Sequence, residues 1–426
     1  MKRYETYKDS GAEWIGEIPI DWHLVKLKFL MEIKSGKSIG AELLSEEFSI
    51  PVLGGNGILG RADQYNSDGK DIIIGRVGAY CGNVHLMDGQ KWITDNALLI
   101  KSKINEEYLT YWLKSLKLNR LANTNAQPLL TGSLIKDQFI SIPKDTQLFH
   151  QIAAYLDHKT GLIDAIIAQK EDLIKKLKEQ RQTIINEAVT KGLNSNVKLK
   201  DSGIAWLGEI PEHWEVCKFR YKFDTTKGLT ITKANLQDEG IPCVNYGEIH
   251  SKYGFEVNPE VHNLKYVSEE YLETNKGSLL SKGDFVFADT SEDIEGAGNF
   301  THLNSDIPTF AGYHTIIARL NDNSDFRFIA YFMDSSSFRS QIQNLVKGVK
   351  VYSITNKILK DTILFFPPKE EQKMIAEYID NKVKKIFMST EKLEKSIKKL
   401  KEYRQSLISE AVTGKIDVRD WQAPKS

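Results

Sequence analysis

One element occurs twice in this 426-residue chain, and it constrains everything else. At a constant offset of 223 residues, Ile152, Ala153, Tyr155 and Asp157 recur as Ile375, Ala376, Tyr378 and Asp380. Leu177-Lys178-Glu179 recurs as Leu400-Lys401-Glu402, Arg181-Gln182 as Arg404-Gln405, and Glu187-Ala188-Val189-Thr190 as Glu410-Ala411-Val412-Thr413. An internal repeat of this kind fixes the architecture before any local assignment. Each copy reads as one long helix. Apolar residues at Ile163, Ile166, Leu173, Leu177 and Ile184, and at Ile386, Leu393, Leu400 and Leu407, follow steps of three and four and form a heptad seam among Lys and Glu. Gly192 and Gly414 stand just past the last periodic residues, and Pro368 with Glu370 and Glu371 makes a favourable first turn. At about 1.5 Å per residue, each helix is a rod of roughly 50–60 Å. A seam needs a partner, and one chain already carries both strands of a pair.

The frame around the helices repeats as well. Lys8-Asp9-Ser10-Gly11, Trp14, Gly16-Glu17-Ile18-Pro19 and Trp22 return 192 residues later as Lys200-Asp201-Ser202-Gly203, Trp206, Gly208-Glu209-Ile210-Pro211 and Trp214. The order is segment, domain, helix, twice over. The shortest path lays the second helix back along the first, which predicts an antiparallel pair related by a pseudo-two-fold axis. A parallel pair stays open if the second domain's path crosses it. The expected fold class is α+β: two similar mixed α/β domains separated by two long antiparallel coiled-coil helices. The divisions fall at residues 1–146, 147–192, 193–367, 368–416 and a tail at 417–426.

Composition narrows the function. Hydrophobic content of 41% supports real cores, and a net charge of zero argues against a lone, tight nucleic-acid binder. The three cysteines, Cys81, Cys217 and Cys243, lie far apart, so neither a zinc site nor a disulfide framework is expected. A reducing cytoplasm fits that cysteine usage, and no apolar run is long enough for a signal peptide core or a membrane span, so a soluble chain is expected. Gly36-Lys37-Ser38 lacks the first glycine of a phosphate loop, because Met31 stands there. Phe365-Phe366-Pro367-Pro368 lacks the acceptor Asp or Asn of an amino-methyltransferase motif. The histidines are scattered and no nucleophile elbow is present. No independent catalytic, metal or cofactor site is therefore expected in this chain.

Within the first domain, Phe48–Leu59 reads as strand, Gly-rich turn and strand, Asp71–Leu86 and Trp92–Ile100 as β-rich, and Glu106–Leu121 as helical. In the second, Gly283–Ala288 and Tyr313–Leu320 read as strands, and Phe328–Phe332 answers Leu109–Leu113. The ends of the two domains match while their middles, near residues 41–90 and 233–300, diverge. Two similar scaffolds with different inserts should hold two similar but non-identical ligands.

Two divergent domains, each opened by K-D-S-G-x-x-W-x-G-E-I-P-x-x-W and closed by I-P or F-P-P before I-A-x-Y-[IL]-D and a long helix, resemble the specificity subunit of type I restriction-modification enzymes. The resemblance covers essentially the whole chain. It departs at Gln147-Leu148-Phe149-His150-Gln151, where the family has Pro-Leu-x-Glu-Gln; Pro368-Lys369-Glu370-Glu371-Gln372 keeps the pattern better. The resemblance implies that the domains are target recognition domains, each reading one half of a bipartite site in double-stranded DNA. It also implies two docked methyltransferase subunits, which would hold S-adenosylmethionine and supply much of the DNA clamp, and restriction and translocase subunits bound through them. The residues suited to base or phosphate contact are Lys37, Asn56, Arg76, Tyr80, Asn96, Asn125 and Gln127 in the first domain. In the second they are Asn245, Tyr246, Tyr313, His314, Lys347, Lys350 and Tyr352. The competing reading is a structural coiled-coil adaptor that binds proteins but not DNA.

Overall fold

In the computed structural model, which describes residues 2–122, 128–204, 208–346, 348 and 351–423, the repeated K-D-S-G…G-E-I-P segment is a two-stranded hairpin. Tyr7–Asp9 pairs with Glu17–Pro19, and Leu199–Asp201 pairs with Glu209–Pro211 in the same register. Its glycines sit in turns at φ +77° and +71° (Gly11, Gly16) and +71° and +70° (Gly203, Gly208), a region open to glycine without strain. The tryptophan closing each segment, Trp22 or Trp214, is only 1% exposed. Each hairpin cups the end of a long helix. A side chain at Gly414 (φ +75°) would meet Pro19 at 2.6 Å and Trp22 at 3.3 Å, and one at Gly192 (φ +74°) would meet Trp214 at 3.3 Å.

The long helices span Gln147–Lys191 and Lys369–Val412. The chain forms two compact units, Met1–Asp172 with Leu393–Ser426, and Leu173–Lys392. Each unit thus contains one half of each long helix. In the first, Asp164 pairs with Arg404 (3.0 Å) and Glu171 with Lys401 (3.5 Å), so the two segments run antiparallel. In the second, Ile185, Ala188 and Val189 share a core with Ile375, Ala376 and Ile379. The C-terminal residues complete the first unit: the Asp417 amide donates to the Lys2 carbonyl (2.9 Å) and Trp421 packs edge-on against Tyr155.

The helix seam differs from the sequence reading at one of its two positions. Ile163, Leu177 and Ile184 point inward, wholly or in part, as do Ile386, Leu393, Leu400 and Leu407. Ile166 and Leu173 do not, at 43% and 45% exposure. The second inward position passes instead through Thr160, Ile167, Ile174, Arg181 and Ala188, matched at the same offset by Val383, Thr390, Ile397, Arg404 and Ala411. Adjacent isoleucines at 166 and 167 made both choices compatible with the spacing.

In the first unit a four-stranded antiparallel sheet runs Met31–Ser35, Ala97–Ser102, Asp71–Gly75, Val84–Met87, beside a three-stranded one ordered Gly57–Ala62, Ile50–Gly54, Trp92–Ile93. The second unit repeats this with additions. Phe223–Lys227, Thr315–Leu320, Phe285–Ala288 and Phe300–Leu303 gain a fifth strand, Phe255–Val257, and a four-stranded sheet places Ile241–Val244 parallel to Thr309–Ala311. A short helix follows the sheet in each unit, Glu106–Ser115 or Phe326–Asp334, started by Asn105 or Asp325 accepting from the amide three residues on.

The repeated helix motifs latch these short helices to the long ones. The Tyr111 hydroxyl donates to Asp157 (2.6 Å), and the Tyr331 hydroxyl donates to Asp380. The Gln405 amide donates to the Lys114 carbonyl (3.4 Å) and the Gln182 amide to the Asp334 carbonyl (3.0 Å), while Arg181 also pairs with the Asp334 carboxylate (2.7 Å). The departure at the start of the first long helix has a packing account. Gln372, buried, bonds the Asp325 amide and the Pro367 carbonyl; by the repeat offset its counterpart is Phe149, which packs its ring 4.8 Å from Tyr108.

Candidate nucleic-acid interface

In the first unit, the ends of several strands converge on one face. Gly55 packs on Gly75, with a Cβ position 3.2 Å from the Gly75 Cα, 3.6 Å from the Asn96 carbonyl and 3.9 Å from the Tyr80 Cβ. That close approach sets the exposed turn at Asn56 beside Arg76, Tyr80 and Asn96. Gly36 is similarly tight: a Cβ there would lie 2.1 Å from the Thr94 carbonyl, so this glycine serves backbone packing. Lys37, exposed, follows it, with its carbonyl accepting from the Trp92 indole (3.0 Å). Five predicted residues, Lys37, Asn56, Arg76, Tyr80 and Asn96, therefore sit at neighbouring strand ends. Asn125 and Gln127 lie outside the described residues. The chain just after them is held to the same place, by Gly78 donating to Pro128 (3.2 Å) and Leu130 donating to Arg76 (2.9 Å).

Arg76 is poorly served by its surroundings. Its amide donates to the Asn96 carbonyl (3.0 Å). Its guanidinium has one long contact to the Ser35 hydroxyl (3.4 Å), its Nε is buried without a partner, and no carboxylate pairs with it among the described residues. A cation left with spare donors at an open strand end is suited to an external acceptor. By contrast the buried Asp71, at the far end of the same strand, is charge-compensated: Lys91 (3.0 Å), Lys101 (2.5 Å) and Ser67 (2.6 Å) surround it. Burial pushes its carboxyl upward, and the bonds from Lys101, Ser67 and Lys91 outweigh that and hold it below the usual carboxylate range.

The second unit builds an equivalent face with other chemistry. The Asp289 amide donates to the His314 carbonyl (3.0 Å), as Arg76 does to Asn96, and Gly312 donates to Val244 (2.8 Å), as Thr94 does to Leu53 (2.9 Å). Tyr246 lies edge-on to Tyr313 (5.6 Å) and His314 (5.3 Å), and Asp289 and the His314 Nδ1 are 3.2 Å apart. Tyr352 pairs with Ser291 in a two-stranded ladder beside them. Asn245 is a correction to the sequence reading. At 3% exposure it starts a helix, its amide and side-chain NH₂ both donating to Glu248 (3.1 and 3.2 Å), so it is not free to touch a ligand. Lys347 and Lys350 lie outside the described residues. A cleft of about 670 Å³ adjoins this face, lined by Tyr246, His250, Thr290, Asp293 and Asn299 among others. Asp289 and His250 were missed from sequence. The signal for Asp289 lay in matching Lys70-Asp71-Ile-Ile-Ile-Gly75-Arg76 to Gly283-Asp284-Phe-Val-Phe-Ala288-Asp289.

The family described as the type I restriction modification DNA specificity domain matches residues 19–176 and 211–399, one stretch in each half. The chain belongs to this family. A type I restriction enzyme specificity subunit, MjaVIII, from Methanocaldococcus jannaschii is 25% identical over 426 residues, covering 95% of either chain. The EcoprrI specificity subunit of Escherichia coli is 31% identical over 172 residues, a match spanning 39% of this chain and 42% of that subunit. A solved chain, reported with the complex assembly and conformational transition of the type I R-M system, superposes with a TM-score of 0.67 at 14% identity, over 94% of this chain and 99% of that one. That likeness establishes the shared fold. Among the described residues of this specificity-family chain, no helix is long and apolar enough to cross a membrane, and no cluster of three metal-ligating side chains occurs.

Proposed function

We propose that each unit reads one half of an asymmetric, bipartite site in double-stranded DNA through its strand-end face. The observation that carries this is the duplicated framework: the amide bonds Arg76 to Asn96 and Asp289 to His314 place two faces on the same scaffold, and the side chains displayed there differ. Similar scaffolds with unlike surfaces suit a ligand whose two halves share a shape and differ in sequence. Phosphate contacts from residues such as Lys37 position the duplex, and side chains at base edges select it.

The chain supplies recognition and no catalytic group. Two methyltransferase subunits dock on it, S-adenosylmethionine resides in them, and restriction and translocase subunits join through them. The neutral net charge of this chain is consistent with partners that contribute much of the positive DNA clamp. Replacing residues 38–131 with the corresponding domain of another family member, then mapping modified bases in cells that also express the methyltransferase, should change one half of the modified sequence only. A change in both halves defeats the modular reading. Calorimetry of the full chain alone should give no S-adenosylmethionine binding; micromolar binding would place a cofactor site in this chain and overturn the division of labour.

A further inference from the structure

Arg76 and Asp289 occupy one and the same position in the two units. Each follows the strand that pairs with the last sheet strand, in matching register: Gly75 opposite Ala97, and Ala288 opposite Thr315. Each amide donates to the carbonyl of the residue just before that partner strand, Asn96 or His314, at 3.0 Å. Each unit also fixes the neighbouring backbone alike, through Thr94 to Leu53 and Gly312 to Val244. The side chains therefore leave the same point of the same face with opposite charge.

That reversal discriminates between the two parts of a duplex. Phosphates carry the same negative charge at every sequence, so a phosphate-facing position favours a cation in both units and repels a carboxylate. A base edge presents acceptors or donors according to its identity. The spare donors of Arg76, which among the described residues meet only Ser35 at 3.4 Å, fit the paired acceptors of guanine. The Asp289 carboxylate is oriented by His314 (3.2 Å) and accepts, which fits an exocyclic amine, that of cytosine first. Resting on the reading of the strand-end faces as DNA-contacting, we infer that 76 and 289 are the shared specificity position of the two units. Arg76 selects guanine in one half-site, and Asp289, positioned by His314, selects an amine-bearing base in the other.

The test uses the full chain in complex with its methyltransferase and a duplex library randomised through both half-sites. R76A should lose roughly 5- to 150-fold discrimination at one base pair of one half-site and leave the other half-site unchanged. R76K, which keeps the charge but replaces the planar guanidinium fork with a single flexible ammonium, should weaken the same discrimination while folding normally. The double variant D289R/H314N, which installs the first unit's pair, should move one position of the other half-site toward guanine. Uniform weakening on all sequences by R76A, with a salt slope lower by about one, would make this a phosphate contact and overturn the assignment, as would unchanged profiles for R76K and D289R/H314N. A wild-type complex that selects no sequence would instead defeat the DNA-reading proposal itself, and is distinguishable because it needs no variant.

Discussion

Replacing Asp380 by alanine should unlatch the second long helix from its short domain helix, at a cost that the same change at Asp157 does not match. Asp380 accepts from Arg327 at Nε (3.0 Å) and Nη2 (2.8 Å) and from the Tyr331 hydroxyl. Arg327 also bonds Glu256 and lies over the rings of Phe255 (5.0 Å) and Tyr331 (5.4 Å). Burial alone would lower the Arg327 pKa, and the bond and charge of Asp380 more than reverse this, which makes Asp380 a main counter-charge of this partly buried guanidinium. Among the described residues, no arginine or lysine is paired with Asp157. It accepts from Tyr111 (2.6 Å), and the position answering Arg327 is Glu107, which turns to Lys70 instead. A hydrogen bond to a charged group is worth about 1.5–3 kcal/mol, and the Asp380 side chain is 40% exposed, so solvent recovers part of the loss. The expected destabilisation is about 2–3 kcal/mol for Asp380→Ala and about 1 kcal/mol for Asp157→Ala. For a unit of this size each kcal/mol moves Tm by roughly 2–4 °C, giving about 4–12 °C against about 2–4 °C. Differential scanning calorimetry of the full chain reads both, and a Tyr331→Phe, Asp380→Asn double-mutant cycle isolates the pair. Equal losses at the two aspartates, or no shift from Asp380→Ala, would refute the latch.

Asp71→Asn leaves Lys91 buried without its carboxylate and should cost about 3–5 kcal/mol at neutral pH. Because the folded Asp71 carboxyl lies below its ordinary value, its contribution is fully present above about pH 4 and is lost as pH falls through the folded pKa. Urea unfolding should therefore show the gap between variant and wild type shrinking in strong acid; a gap independent of pH would mean the ionised pair is not its source. Ile167→Asp places a charge in the helix seam at 7% exposure and should destabilise the first unit by about 3 kcal/mol or more, whereas Ile166→Asp, at 43%, should stay within about 0.5 kcal/mol. Thermal melts of the two variants that coincide would show that the seam has been misplaced.

The repeat was legible in the sequence because the same residue types do the same physical work twice. Asp157 and Asp380 latch a tyrosine, Gln405 and Gln182 bond a carbonyl at the end of a short helix, and Gly414 and Gly192 fill a turn where Trp22 and Trp214 leave no room. Those needs are local or tied to an invariant partner, so they leave fixed motifs at fixed offsets. The candidate site was legible in its turns, Gly54 to Gly57 and Gly75-Arg76, since glycine marks close backbone approach. The role of Asn245 was also within reach, because Glu248 three residues on completes a capping box. What only the tertiary structure decided is which neighbour a residue meets. Periodicity admits either Ile166 or Ile167, and burial in the folded unit chooses Ile167. The equivalence of Arg76 and Asp289, which the matching stretches ending at these residues only suggest, is fixed by strand register and two backbone hydrogen bonds. Likewise no sequence pattern announces that each long helix is divided between two units at Asp172 and Lys392. A continuous helix is specified by local spacing, and its division is set by the separate cores that its two halves help to build.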